Sequence, residues 1–325
     1  MLALSAMSVI IIGSLAIRCA DPSAEEISTF DLLAPDTQAV RLTVTRGDIT
    51  IKQFDSPPGF PPPPADAMQV NVTKRSSADG ALSDIHVETD TVGSSPNVEL
   101  LINADAGDFG LVTCKRSDVS IGIPSVMGQP LEIQVTVDYG DITTTSFNLE
   151  SVVDRIVLKS NFGFIRSDNA RVRTFVVDAA DGLVSINNLR MDSTGTAAVT
   201  AQQSVSIYNM LGNAGNMTVS GNGIAVIVLS PADFNGQFSI AASTNLVLNG
   251  LNPGYFTVDN TDWRQTKAAT GQIGAGGSQM LVVDFDGSVT LQVELVLPIE
   301  PPTRRALQRR IDNNNNIINN NNHNN

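Results

Sequence analysis

Cysteine, histidine and aromatic residues are scarce in this chain, and each scarcity closes off a class of chemistry. Two cysteines, Cys19 and Cys114, cannot build a disulfide framework. The two histidines, His86 and His323, leave no Cys/His set with the spacing of a zinc site. Aromatics are 5% of the 325 residues, with a single Trp (Trp263) and three Tyr, so a groove that stacks sugar rings is poorly supplied. Glutamate is also short, 8 Glu against 25 Asp. Asp competes with a helix for its own backbone where Glu does not, which excludes a mainly helical protein. Bases number 20 against 33 acids, a net charge of -13. The central region lacks the clustered Lys and Arg that phosphate backbones require, so no nucleic-acid partner is expected. No cofactor is implied either.

Long apolar runs are confined to the N-terminus. Met1 to Ile17 (MLALSAMSVIIIGSLAI) is followed by Arg18 and Cys19. Its length sits at the lower edge of a membrane span, where about 20 residues are typical. Ser14-Leu15-Ala16 offers a small-x-small cleavage site. Residues 1–18 are therefore read as a signal anchor or a signal peptide, with a buried helix as a third option, and residues 19–40 as a linker. Arg18 stands where a lipoprotein needs a small residue before its cysteine. The segment has no basic leader, which points to a start further upstream. Both main readings give a membrane contact through this segment and an extracytoplasmic domain, anchored or secreted. At the other end, residues 301–325 carry Pro301-Pro302, then Arg304, Arg305, Arg309 and Arg310, and ten Asn among the last thirteen residues. This is a disordered, basic and Asn-rich tail. Its arginines are a solvated stretch or a contact for an acidic surface such as anionic lipid.

What fills residues 41–300 is a repeating strand and corner. Arg41 to Phe54 reads RLTVTRGDITIKQF, Leu100 to Val112 LLINADAGDFGLV, Gln134 to Phe147 QVTVDYGDITTTSF, Ile156 to Asn169 IVLKSNFGFIRSDN, and Phe175 to Leu189 FVVDAADGLVSINNL. The first apolar residues after the corners, Ile142, Ile165, Val184, Val205 and Val226, are 23, 19, 21 and 21 residues apart. A period near 21 with no helix inside it predicts an all-β fold, a parallel β-solenoid with one coil per repeat and each coil stacked on the last. Gly47, Gly107, Gly140, Gly163 and Gly182 supply the positive φ of a sharp corner. Asp48, Asp108 and Asp141 beside them suit turns and keep the outside wet. A β-sandwich is the rival, since short strands with Gly turns fit it too. The run SPPGFPPPP (56–64) cannot enter a ladder and is read as a rigid loop, or as an SH3 or WW ligand if a reader is present. Thr73 to Asn97 reads as an insertion or an irregular cap.

With these runs in place, the chain resembles the putative adhesin family of β-solenoid surface proteins, a domain of unknown function. The resemblance rests on the Gly-Asp-Ile corners at Gly47 and Gly140, on FNGQFSIAAS (Phe234 to Ser243), and on GQIGAGGSQMLVVDFDGSVTLQV (Gly271 to Val293). The last two look like the closing coils of eukaryotic members with a membrane segment ahead of the solenoid. The resemblance implies a surface-exposed, non-catalytic role and carries over no binding residue.

Catalytic signals are thin. His86 lies in an alternating run and no Gly-x-Ser-x-Gly accompanies it, so it reads as a solvent-facing strand residue. The enzymatic alternative is a polysaccharide lyase or glycosidase on a parallel β-helix. It would use Asp178 and Asp181 with Arg171 or Arg173, or Asp138 and Asp141. Calcium suits repeated Asp at turns, with Asp105 and Asp108, or Asp284 and Asp286, as candidates. Asn71 and Asn216 head formal glycosylation sequons. Cys114 is read as a buried or corner thiol, with pairing to Cys19 open only in an oxidising compartment. The expectation is a non-catalytic adhesin-like or structural module whose stacked face meets glycans, wall polymers or another solenoid.

Overall fold

A computed structural model describes residues 24–33, 37–53, 67–77, 81–94, 97–105, 114–124, 130–145, 153–211, 215–250, 256–260 and 262–293. The apolar N-terminal segment, the Pro-rich run 56–64, the corner residues Gly107 and Asp108, and the tail 301–325 lie outside the described residues. The described chain is all-β, broken only by a 3-10 turn at Ala81–Asp84 and one helical turn at Trp263–Thr266. Among the described residues no helix is long and apolar enough to cross a membrane.

The strands form where apolar β-branched residues alternate with polar ones. Leu131–Tyr139 (LEIQVTVDY) buries Leu131, Ile133, Val135 and Val137 and turns the residues between them outward. Such strands stack in two parallel ladders joined at the corners. The first runs Asn97–Asp105, Thr37–Arg46, Leu131–Tyr139, Val153–Phe162, Arg171–Asp181, then 196–201, 216–221, 281–285 and Gly236–Ala242. The second runs Lys115–Ile123, Ile49–Gln53, Ile142–Thr145, Ile165–Asp168, then 183–190, Ser204–Leu211, 224–229, 288–293 and Asn245–Gly250.

In-register pairing lines up like with like. Ile102, Leu42, Val135, Leu158, Val177, Val199, Val219, Val283 and Ile240 form one continuous buried row, all within 2% exposure. Each contributes about 1.5–3 kcal/mol by leaving water. In the second ladder, Ile142, Ile165, Val184, Val205 and Ala225 are register partners, at intervals of 23, 19, 21 and 20. The expected Val226 is thus displaced by one residue. Val226 pairs with Ser206 on the outer side, while the smaller Ala225 is fully buried and Ile224 is 55% exposed. Side-chain size alone points to the wrong member of Ile224-Ala225-Val226, because the register is set by the corner that precedes them.

Stack order departs from chain order at both ends. The segment 37–53 lies between 97–123 and 131–145, and Gln279–Val293 lies between 216–229 and 236–250. Of the two runs expected to close the stack, Gly236–Ala242 is the last parallel layer of the first ladder, whereas Gln279–Val293 is an inner one. Nor is every pair parallel. Ala24–Leu33 pairs antiparallel with Ala67–Ser76, which pairs antiparallel with Lys115–Ile123; His86–Ser94 pairs antiparallel with Asn97–Asp105; Ala268–Ile273 does so with Gly236–Ala242. The expected linker 19–40 contains the strand Ala24–Leu33 and the start of Thr37–Arg46. Thr73 to Asn97 holds the end of one antiparallel strand and the whole of another.

The glycines of one corner stand directly on each other. A Cβ on Gly140 would lie 1.9 Å from the Gly47 carbonyl oxygen, one on Gly163 would lie 2.0 Å from that of Gly140, and one on Gly182 would lie 1.8 Å from that of Gly163. Gly140 has φ 151° and Gly163 φ 156°. Gly182 has no such φ, so glycine is required there by the space and not by the turn. A second corner uses asparagine. Asn169, Asn188 and Asn209 take φ of 55°, 55° and 59°, and their side chains hydrogen-bond from rung to rung, Asn188 Nδ2 to Asn169 Oδ1 at 2.8 Å and Asn209 Nδ2 to Asn188 Oδ1 at 3.2 Å.

Gly163→Ala forces a methyl group onto a carbonyl that belongs to the neighbouring rung, and no rotamer relieves it. The expected loss is about 3 kcal/mol or more in urea unfolding. Val226→Ala, on the outer side of the same architecture, is expected to stay within about 1 kcal/mol.

Candidate functional site

The acids beside the corner glycines accept hydrogen bonds from the next rung. The backbone N–H of Asp48 donates to Asp118 Oδ1 (2.8 Å), that of Asp141 to Asp48 Oδ1 (3.0 Å), and that of Phe164 to Asp141 Oδ1 (2.8 Å). A strand that turns a corner leaves amides without a ladder partner, and the short Asp side chain reaches them.

At the first of these corners the acids meet two arginines. Arg116, buried on Lys115–Ile123, donates through Nε to Asp118 Oδ1 (2.8 Å) and through Nη2 to Asp48 Oδ2 (2.7 Å), with a further Nη2 contact to Asp118 Oδ1. Arg75 stands opposite Arg116 on the antiparallel strand Ala67–Ser76. It donates through Nη1 to Asp118 Oδ2 and through Nε to Glu25 Oε2 at 3.1 Å. Like charges facing across a sheet repel, and Asp118 between them offsets this. Burial pulls the Arg116 guanidinium down, but the hydrogen bonds and charges of Asp118 and then Asp48 outweigh it and hold it above the ordinary arginine value.

Next to this network is an open cavity of about 440 Å³. Two rows of outward side chains on adjacent strands line it, Thr50, Ser120 and Asn71 in one and Asp48, Asp118 and Thr73 in the other, with Arg75 and Arg116 at one end.

The other residues singled out in the sequence are held apart. Arg173 donates to Asp154 Oδ2 (2.8 Å) and lies five residues from Asp178 along one strand, roughly 16 Å. Asp181 accepts from Gln203 Nε2 (2.6 Å), and Asp138 from Asn161 Nδ2 (2.8 Å) while Asp141 holds the corner amide. No acid/base pair converges among them. His86 is exposed on an outer antiparallel strand. Asp105 accepts from Thr45 Oγ1 (3.0 Å) and Asp286 from Ser243 Oγ (2.6 Å). Among the described residues no group of three or more His, Cys, Asp and Glu could hold a metal ion. Asn71 accepts from Thr29 Oγ1 (2.8 Å) between two strands, whereas Asn216 is exposed at a strand start. Cys114 is not a thiol: it is disulfide-bonded.

Tyr139 and Phe162 stack face to face on the outside, centroids 4.9 Å apart, with the Arg46 guanidinium 5.9 Å from the Tyr139 ring. Their faces are used on each other and reinforce the rung spacing.

The Arg75 and Arg116 network escapes a sequence reading, although a signal exists. Arg116 to Ile121 (RSDVSI) parallels Arg46 to Ile51 (RGDITI), and Ser117 in place of glycine hides the match. Ser117 is the partner of Gly47 at the corner.

No family model matches the chain and no curated relative matches it. Among solved structures it is similar to a putative cell adhesion protein from Clostridium sporogenes, at TM-score 0.35 and 11% identity, covering 84% of this chain and 100% of that one. A putative adhesin from Bacteroides fragilis is similar at TM-score 0.40 and 13% identity, covering 82% and 97%. A putative lipid binding protein from Parabacteroides distasonis is similar at TM-score 0.33 and 10% identity, covering 83% and 95%. A likeness of this degree carries no functional residue across.

Arg116→Met removes one of the two arginines on Asp118 and the charged partner of Asp48, and is expected to cost about 1–3 kcal/mol in urea unfolding. The hydrogen bond from Lys115, and then its charge, hold the Asp84 carboxyl below the ordinary aspartate value. A depressed folded value adds stability above the unfolded value and loses it as pH falls through the folded one. Carboxyl NMR titration should place Asp84 below ordinary aspartates, and Lys115→Met should abolish that displacement.

Proposed function

We propose that the chain is a non-catalytic module of the cell surface or the secreted space, a β-solenoid of the adhesin-like kind that presents stacked outer faces to a ligand. The observation that carries this reading is the run of parallel, in-register rungs whose corner acids accept backbone amides of the next rung. Groups used in this way are not free for acid/base work, and the repeated faces they hold suit recognition better than turnover.

The disulfide at Cys114 points to an oxidising compartment. Disulfides persist in oxidising surroundings and are rare in the cytosol. The chain's other cysteine is Cys19, just after the apolar segment 1–18 that would supply export and membrane contact as signal anchor or signal peptide. Glycans, wall polymers or another solenoid are the partners such a face fits. Gly47, Gly140, Gly163 and Gly182, with Asp48 and Asp141, belong to the architecture in this reading, and Gly107 and Asp108 are assigned the same part. In an exported chain Asn216, with Thr218 exposed two residues on, is the more accessible sequon.

Protease added to intact cells is expected to digest the domain, or the domain is expected in the medium, and maleimide should not label the native protein before reduction. A cytosolic protein shielded from protease would overturn the reading. On a glycan array the chain is expected to bind without releasing products; any released oligosaccharide would end the non-catalytic assignment.

A further inference from the structure

We propose that the cavity between Ile49–Gln53, Lys115–Ile123 and Ala67–Ser76 binds one neutral, hydroxyl-rich unit of a glycan, a hexose or N-acetylhexosamine. This rests on the surface-module reading above and names a site and a ligand class within it.

The charged groups there are already spent on each other. Arg116 engages Asp118 and Asp48, Arg75 engages Asp118 and Glu25, and the remaining Asp48 oxygen accepts the Asp141 amide. Two arginines and two aspartates line the cavity, so its lining is balanced and gives neither an anion nor a cation an advantage. Each charged side chain there has a partner of opposite charge, and the remaining polar side chains of the lining are neutral. Among the described residues the hydroxyls of Thr50, Thr73 and Ser120 make no side-chain hydrogen bond, and Asn71 uses only its Oδ1, leaving its amide N–H groups to the cavity. Hydroxyls both donate and accept, as do those of a sugar, so each can pair in either sense.

Geometry agrees with that chemistry. Thr50, Ser120 and Asn71 sit on three neighbouring strands in register, so their side chains are spaced roughly 5 Å apart, about the width of a pyranose ring. The ion network fixes the strands that carry them, which lowers the ordering cost of binding. The 440 Å³ volume lies within the range of small-molecule sites. With no aromatic ring in the lining, affinity is expected on the order of millimolar per unit.

The sugar has two sources. It belongs to another molecule, or it is the first residue of a glycan on the chain's own Asn71-Val72-Thr73, whose Asn71 and Thr73 side chains both face the cavity.

The full-length chain is made in a host that does not N-glycosylate and in one that does. Saturation-transfer difference NMR is recorded with N-acetylglucosamine, galactose and mannose, and with glucuronate as the charged counterpart. The unglycosylated chain is expected to give signal with at least one neutral sugar and not with glucuronate. The double variant Thr50→Val, Ser120→Ala should reduce that signal at least fivefold with its urea midpoint retained. No signal from any neutral sugar, equal signal in the folded variant, or stronger signal from glucuronate would each overturn the proposal. In the glycosylated chain, Asn71 occupied by mass spectrometry with the signal lost identifies the chain's own glycan. Asn71 vacant with the signal kept identifies another molecule. Array binding undiminished in the double variant defeats this site and leaves the surface module standing. A protease-shielded cytosolic protein defeats the module while the NMR result still reports on the cavity.

Discussion

The structure depends on carrying a sharp corner unchanged from one rung to the next at strand spacing. Turning once is easy for many residues; stacking one turn on another is not. Where the rungs meet, a backbone carbonyl occupies the place a side chain would take, so Gly47, Gly140, Gly163 and Gly182 follow each other up the stack. The amide just past the glycine then faces the rung below with no ladder partner, and an aspartate on that rung receives it. Once glycine and aspartate hold the corner, the residues on either side fall into fixed inward and outward rows, and the aliphatic rows of the two ladders follow.

Edges are the second constraint. A parallel stack ends in strands with unpaired backbone groups, which invite another chain. Here antiparallel strands flank the stack at both ends, and the outermost at the first, Ala24–Leu33 and His86–Ser94, carry exposed Glu25, Glu26, Glu88 and Asp90. Placing 37–53 and 279–293 inside the stack also keeps these two aliphatic segments off the edges. The consequence is kinetic: these layers pair with partners far away in sequence, and such contacts form slowly because the loop must close first.

Legibility in the sequence followed the same logic. The strand-and-corner unit and its first three intervals are visible because Ile142, Ile165, Val184 and Val205 are both chain neighbours and stack neighbours. Inserted layers are not, since Ile49 pairs with Ile142 and Ala225 with Val289, spacings that a search for a short period never samples. Antiparallel ends were hidden for a related reason: His86–Ser94 and the last residues of Ala67–Ser76 lie in the stretch Thr73 to Asn97, which looks like an insertion because it is polar on a half-covered sheet. The cavity was out of reach because it needs Arg75 from one such strand, Arg116 from a rung disguised by Ser117, and Thr50 from an inserted layer. The Asn169, Asn188 and Asn209 column was within reach, each four residues past an inward residue already identified.

The excess of Asp over Glu looks at first like a corner signature, and the structure widens it. Asp138 takes Asn161, Asp154 takes Arg173, Asp168 takes Asn187, and Asp181 takes Gln203, each from the neighbouring rung, and of the four only Asp181 adjoins a corner glycine, Gly182. Three of these four partners are amides. Asp is therefore a general rung-to-rung acceptor, short enough to stay within one strand spacing where Glu would overreach. Because most of its partners among the described residues are neutral, these acids keep their negative charge in sum while each has a partner, in a chain whose net charge is -13. Selectivity on such a surface cannot come from charge that is evenly spread. It has to come from the places where neutral hydroxyls and amides are left unpaired.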